Sequence, residues 1–307
     1  MDEDGQSWRL LLESAAHRGT FQMARQTQEQ GFSAPERRTT AALAAVFAMR
    51  MLGLFVVLPV LAVYGGRLED ATPLLVGLAI GVYGLLQGLL QIPYGMASDR
   101  YGRKRLIYLG LALFALGGLV AAASSSIWGV IVGRAIQGAG AVAGVVMALL
   151  ADLVREERRT RAMAVIGATV GLSFGLAMVL GPLIASAAGL SGLFLFTSLM
   201  ALLSLALVAF RVPTPQRSTP VRPTVRRRLW PRVRRILRHP DLLRLNAGVF
   251  LLHLSMTAMF IVVPPALVEQ AQLPVAAHWK IYLPVILFSL ALMVPLLMRA
   301  ERQGRPR

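Results

Sequence analysis

The sequence predicts an all-α, polytopic membrane protein, and three observations point there. The chain of 307 residues is 56% hydrophobic and only 15% charged, with mean hydropathy +0.61. Soluble domains carry about a quarter charged residues, so this apolar excess belongs against lipid. The apolar residues gather into runs of about 20, the length that crosses a hydrocarbon core of about 30 Å as a helix. Finally, Lys and Arg are concentrated in alternate connectors. Runs this long and uniformly apolar fit helices rather than a barrel, because the helix satisfies its own backbone in lipid.

In order along the chain, residues 1–38 are polar and mixed in charge, with no apolar run of the length a secretory signal needs. They are read as a cytoplasmic extension, or as sequence ahead of the natural start. Eight spans follow, at roughly Thr40–Tyr64, Pro73–Ala97, Leu106–Ala123, Ile127–Ala151, Ala162–Ala187, Ser191–Phe210, Leu245–Val268 and Trp279–Met298. Short connectors such as Ser124–Ser126 and Gly189–Ser191 make neighbouring spans antiparallel. The expected organisation is a complete six-helix bundle over 39–210, a basic linker over 211–244, two helices of a second bundle over 245–298, and a basic tail over 299–307.

The net charge of +17 comes from 32 Lys and Arg against 15 Asp and Glu, a balance that also suits nucleic acid. Its distribution decides against that partner. Arg100, Arg103, Lys104 and Arg105 follow the second span, Arg155, Arg158, Arg159 and Arg161 follow the fourth, and eleven arginines lie between Arg211 and Arg244. The alternate connectors hold only Arg67 and Lys280. Positive loops stay in the cytoplasm, which places both termini inside. Within the linker, Leu229, Trp230, Val233, Ile236 and Leu237 alternate with arginines at near-helical spacing, as in a helix lying on anionic lipid; a solvated basic linker is the other reading.

Several motifs carry a family resemblance. The connector Gly95-Met96-Ala97-Ser98-Asp99-Arg100-Tyr101-Gly102-Arg103-Lys104-Arg105 resembles the signature between the second and third helices of the major facilitator superfamily. Arg134, Gln137, Gly138 and Gly140 in the fourth span resemble that family's R-x-x-Q-G motif, and Gly53 with Pro59 its first-helix pattern. Gly181-Pro182 matches the core of the antiporter signature, with Ala177, Ala185 and Ser186 replacing its outer glycines. Within the superfamily, the stretch Arg50-Met51-Leu52-Gly53 through Val60, with Asp152-Leu153-Val154-Arg155-Glu156 and His278-Trp279-Lys280, looks most like the YajR-type, drug-efflux-like branch. The resemblance implies twelve helices in two halves with a substrate cavity between them, proton-coupled efflux of a small molecule by alternating access, and an inner-membrane location. It also implies that Gly95, Asp99, Arg100, Gly102, Arg103 and Lys104 form a conformational latch, and that Arg134 takes part in coupling. Eight spans leave the second half incomplete. A non-transporting remnant, or an assembly partner of a separately encoded rear half, is the competing expectation.

Ionisable groups inside a bilayer are costly and mark function by default. Arg50 lies about ten residues into the first span, or about 15 Å at 1.5 Å per residue, which suggests an anion or substrate site. Snorkelling to phosphate is the alternative. Arg134 and Gln137 share a helix face. Tyr83, Gln87 and Gln91 form an i, i+4, i+8 polar stripe that either lines a cavity or bonds a neighbouring helix. His253 is the only histidine within a span, fit either to titrate or to pack. Gly167, Gly171 and Gly175 form a ladder read as a close helix seam, as do Gly138, Gly140 and Gly144. The chain has no cysteine, which leaves no thiolate site, and no phosphate loop, nucleophile elbow or metal-ligand spacing is found. No cofactor, metal or enzymatic activity is expected.

Overall fold

A computed structural model describes residues 32–214 and 238–302, all of the regular structure there being helical. The N-terminal extension to residue 31, most of the basic linker with its expected surface helix, and residues 303–307 of the tail lie outside the described residues. Among those described, seven helices are long and apolar enough to cross a membrane.

The first span is two helices, α1 (Ala34–Phe55) and α2 (Leu58–Tyr64). Ser33 starts α1 by a capping box: its Oγ accepts from Glu36 N at 3.3 Å, and its own N donates to Glu36 Oε2 at 2.9 Å. Pro59 then interrupts the ladder, since it has no N–H to give to the preceding turn. α3 (Pro73–Tyr101) is capped by Thr72 and ends at Gly102, whose φ of +101° suits glycine. α4 (Arg103–Ala122) follows directly.

The fourth span is also divided, into α5 (Ile127–Ala139) and α6 (Ala143–Leu153). The sequence reads it as continuous; the break falls at Gly140, where Val142 N donates to Gly140 O at 2.8 Å. The longest element, α7 (Glu156–Arg211), has 56 residues. Straight, it would be about 84 Å long, nearly three times a bilayer core of about 30 Å. It instead reverses at Gly189, with φ +67° and ψ −168°. Ile166 and Val208, near its two ends, belong to one buried cluster, while Ala185 and Leu193 beside the reversal belong to another. Counting its arms separately gives the eight spans of the sequence reading. α8 (Pro240–Glu269) packs on α2, and α9 (Trp279–Arg302) on α7.

Two sets of connectors gather at opposite ends. At one, Glu69 N donates to Ser125 O at 3.2 Å and Ile127 N to Glu69 O at 3.1 Å, joining the loops after the first and third spans. At the other, Arg155 Nε donates to Glu36 Oε1 at 3.0 Å, Arg103 Nε to Asp152 Oδ2 at 3.1 Å, and Lys104 Nζ to Val212 O at 2.8 Å. This is the up-and-down order that the alternating charges require. Large apolar residues such as Leu89, Leu172, Leu252 and Phe288 cover the outside, the surface a lipid solvent selects.

Candidate transport site

The interior of the front bundle holds two guanidinium groups. Arg50, on α1, is 1% exposed, and its Nη2 donates to Tyr83 Oη at 3.3 Å, Gln87 Oε1 at 3.0 Å and Gly140 O at 3.5 Å. Its Cζ also lies 5.9 Å from the centre of the Phe114 ring. Tyr83 and Gln87 are one helical turn apart on α3, which is why the polar stripe delivers both to one arginine. The acceptor at Gly140 comes from the break between α5 and α6. That carbonyl also accepts from Val142 N.

Arg134, on α5, is fully buried. Its Nε donates to Ala79 O at 3.4 Å and its Nη1 to Gln137 Oε1 at 3.0 Å. Its Cζ stands 4.4 Å from the centre of the Tyr83 ring. Tyr83 thus meets both arginines, one through its hydroxyl and one through its ring face, where the quadrupole attracts a cation. Gln137 passes the network on, with Nε2 donating to Thr197 Oγ1 at 3.1 Å on the second arm of α7, and Thr197 in turn donates to Phe194 O at 2.8 Å.

The helices come close enough for these bonds because small residues sit at their crossings. A Cβ on Gly138 would lie 2.9 Å from Tyr83 Cα and nearer still to its carbonyl, so only glycine fits there. Gly140 lies against Gly110, Gly144 against the Gln91 side chain, Gly181 against the Val56 carbonyl, and Gly53 near Phe114 and Thr197. Pro182, beside Gly181, is buried, as is Pro59.

The Gly95–Arg105 connector forms a separate network at the end of the bundle. Arg103 pairs with Asp99 one turn earlier, reaches Asp152 Oδ2 at 3.1 Å, and donates from Nη1 to Ser98 Oγ at 2.6 Å. Ser98 Oγ donates to Gly95 O at 2.7 Å, and Lys104 caps the end of α7 through Val212 O. Arg100 is exposed, with its Cζ 5.3 Å from the Tyr101 ring centre. Among the described residues these bonds stay within the front bundle.

Two expectations meet a different geometry. Gly167, Gly171 and Gly175 form no close seam among the described residues: a Cβ on any of them would meet nothing within 4 Å. The packed side of that arm carries Ala162, Ile166, Ser173 and Ala177 instead, with Ser173 Oγ donating to Ala48 O at 3.0 Å. His253 is exposed on α8, its Nδ1 2.9 Å from Val249 O, and stands apart from the arginine cluster. Gln91 lies by Gly144 and makes no bond to Arg50. Sequence reasoning missed Phe114 and Thr197. A lone threonine in an apolar span was the available signal for the second.

The fold and its site define a polytopic helical membrane protein with a polar, doubly cationic interior and a basic loop motif between its second and third spans. The sequence matches the Major Facilitator Superfamily over residues 39–305, and the chain belongs to that family. It is 47% identical over 266 residues to the inner membrane transport protein YajR of Escherichia coli (strain K12), covering 87% of this chain and 58% of YajR. It is 38% identical over 254 residues to an uncharacterized transporter of Buchnera aphidicola subsp. Schizaphis graminum, covering 83% of this chain and 64% of that one. The crystal structure of a D-xylose–proton symporter matches with a TM-score of 0.60 at 15% identity, over 86% of this chain and 69% of the symporter, a likeness of fold alone. The chain therefore spans about three-fifths of the length of the relatives it matches. It is an integral membrane protein.

Proposed function

We propose that this chain acts in secondary transport by alternating access, in which the front bundle moves a small molecule outward at the expense of a proton gradient. The observation that carries this reading is the buried cluster Arg50–Tyr83–Gln87–Arg134–Gln137, drawn from three spans. A charge at this depth is costly and is kept where it serves a pathway. Family membership supplies the class of activity, and the cluster supplies a place for it.

In this reading Arg50, Tyr83 and Gln87 face the substrate, while Arg134 and Gln137 couple its binding to the hydrogen bond that joins α5 to Thr197 on the second arm of α7. The Asp99–Arg103–Asp152 network sets the resting arrangement of the end from which Gly95 to Lys104 project, and its rearrangement latches that end. The positive loops lie on the cytoplasmic side, with both termini, in the inner membrane. The basic linker lies near anionic lipid.

The test is flux in vesicles containing the chain, with an imposed pH gradient, for the wild type, Asp99→Asn and Arg134→Ala. Gradient-dependent flux that falls in both variants supports the assignment. Normal flux in both removes these residues from the mechanism.

A further inference from the structure

We propose that the Arg50 cluster binds a compact anionic group, a carboxylate or a group of like size and charge, so that the transported molecule or an ion moving with it is an anion. This rests on reading the cluster as the transport site and names the ligand chemistry of that site.

Three observations converge. First, Arg50 Nε and Nη1 and Arg134 Nη2 are all buried without a hydrogen-bond partner. A guanidinium carries five N–H donors, and only Arg50 Nη2 is in use. Buried donors in native proteins are almost always satisfied, so a set of free ones on a single group marks a ligand.

Second, the described spans hold no counter-charge. Every described carboxylate lies in the first or last turn of a helix or in a loop: Glu36, Glu69, Asp70, Asp99, Asp152, Glu156, Glu157, Asp241 and Glu269. Two guanidiniums therefore share one interior with only an aromatic ring and neutral acceptors between them. The attraction of a ring face for a cation is smaller than the cost of keeping that cation buried unpaired. An arriving anion would gain from both charges in a medium of low dielectric.

Third, the neutral partners leave the charge available. Tyr83, Gln87 and Gly140 all engage Nη2 and hold the guanidinium plane in place, while the Nε and Nη1 donors remain open. Gln87 is half-buried and borders Arg50 on the side of α3, so the cluster reaches partly exposed surface there. Arginine suits such a role because its planar donors match the oxygens of a carboxylate or similar anion.

The experiment measures binding to the purified full chain in detergent, at constant ionic strength and with no gradient, using radiolabelled benzoate, benzamide and chloride as probes. Wild type binds benzoate or chloride saturably and benzamide not at all. Benzoate alone identifies a carboxylate-bearing molecule as the source, chloride alone an inorganic ion, and either supports the site. Arg50→Gln weakens the anion's binding by about thirtyfold or more, whereas Arg244→Gln, at an exposed cytoplasmic-end position, leaves it unchanged. Binding of neither anion, equal binding of benzamide, or full binding by Arg50→Gln overturns the proposal. The comparison of benzoate, chloride and benzamide on the wild type decides even where Arg50→Gln does not fold. Since no gradient is present, a failure here leaves the transport reading to its own flux test.

Discussion

The front bundle contains two arginine networks built on opposite terms. In the interior, Arg50 and Arg134 are buried and have amides, hydroxyls, carbonyls and rings for partners, with no acid. At the end of the bundle, Arg103 sits between Asp99 and Asp152, all three partly open to solvent. The same side chain is a costly charge held for use in one place and a neutralised tie between helices in the other. Exposed ion pairs add little stability because water already solvates them, while the interior set depends on close packing and gains its effect from low dielectric.

That contrast is tested by substitutions in descending order of effect. Gly138→Val drives methyl groups into the backbone of Tyr83 and should destabilise the bundle by about 3 kcal/mol, since overpacking against backbone has no side chain to yield. Unfolding in detergent checks this, and wild-type stability would mean that α3 and α5 do not cross so closely. Arg134→Ala removes the stack on Tyr83 and leaves Gln137 Oε1 without its donor, so gradient-driven flux should be lost. Its stability change should be no larger than about 3 kcal/mol, because removal of the unpaired charge offsets the cavity.

Thr197→Val and Gln137→Leu, measured singly and together, should show a coupling of about 1 kcal/mol, the usual size for an interhelical hydrogen bond in a membrane. Zero coupling would break the link between α5 and the second arm of α7. Asp152→Asn should cost less than about 1 kcal/mol and should matter less as salt rises. A larger, salt-independent loss would make the end network resemble the interior one and remove the contrast.

Much of the fold was legible because lipid imposes simple demands. Span length and alternating charge follow from hydrocarbon thickness and insertion, and each is readable locally. The interruptions were less so. Pro59 broke its helix by a known rule, whereas the break at Gly140 sits where Gly110 approaches from α4, a tertiary contact that no local pattern shows. The polar stripe of Tyr83 and Gln87 was readable on α3, but its meeting with Arg50 joins different helices and no local pattern announces it. The glycine ladder at Gly167, Gly171 and Gly175 shows the limit most clearly. A period of four says that residues share a face and says nothing of what stands opposite, and here the packed face was the neighbouring one.

The chain's lack of cysteine opens a direct test of the central proposal, that the Arg50 cluster is a transport site reached past Gln87. Gln87→Cys and Leu89→Cys, the second at an exposed apolar position two residues further along and therefore on the opposite side of α3, would be treated in intact vesicles with a charged, membrane-impermeant thiol reagent. The account predicts labelling of Gln87→Cys that slows when the Arg50 site is occupied by its anion, and no labelling of Leu89→Cys. An unreactive Gln87→Cys, or equal labelling at both positions, would contradict it.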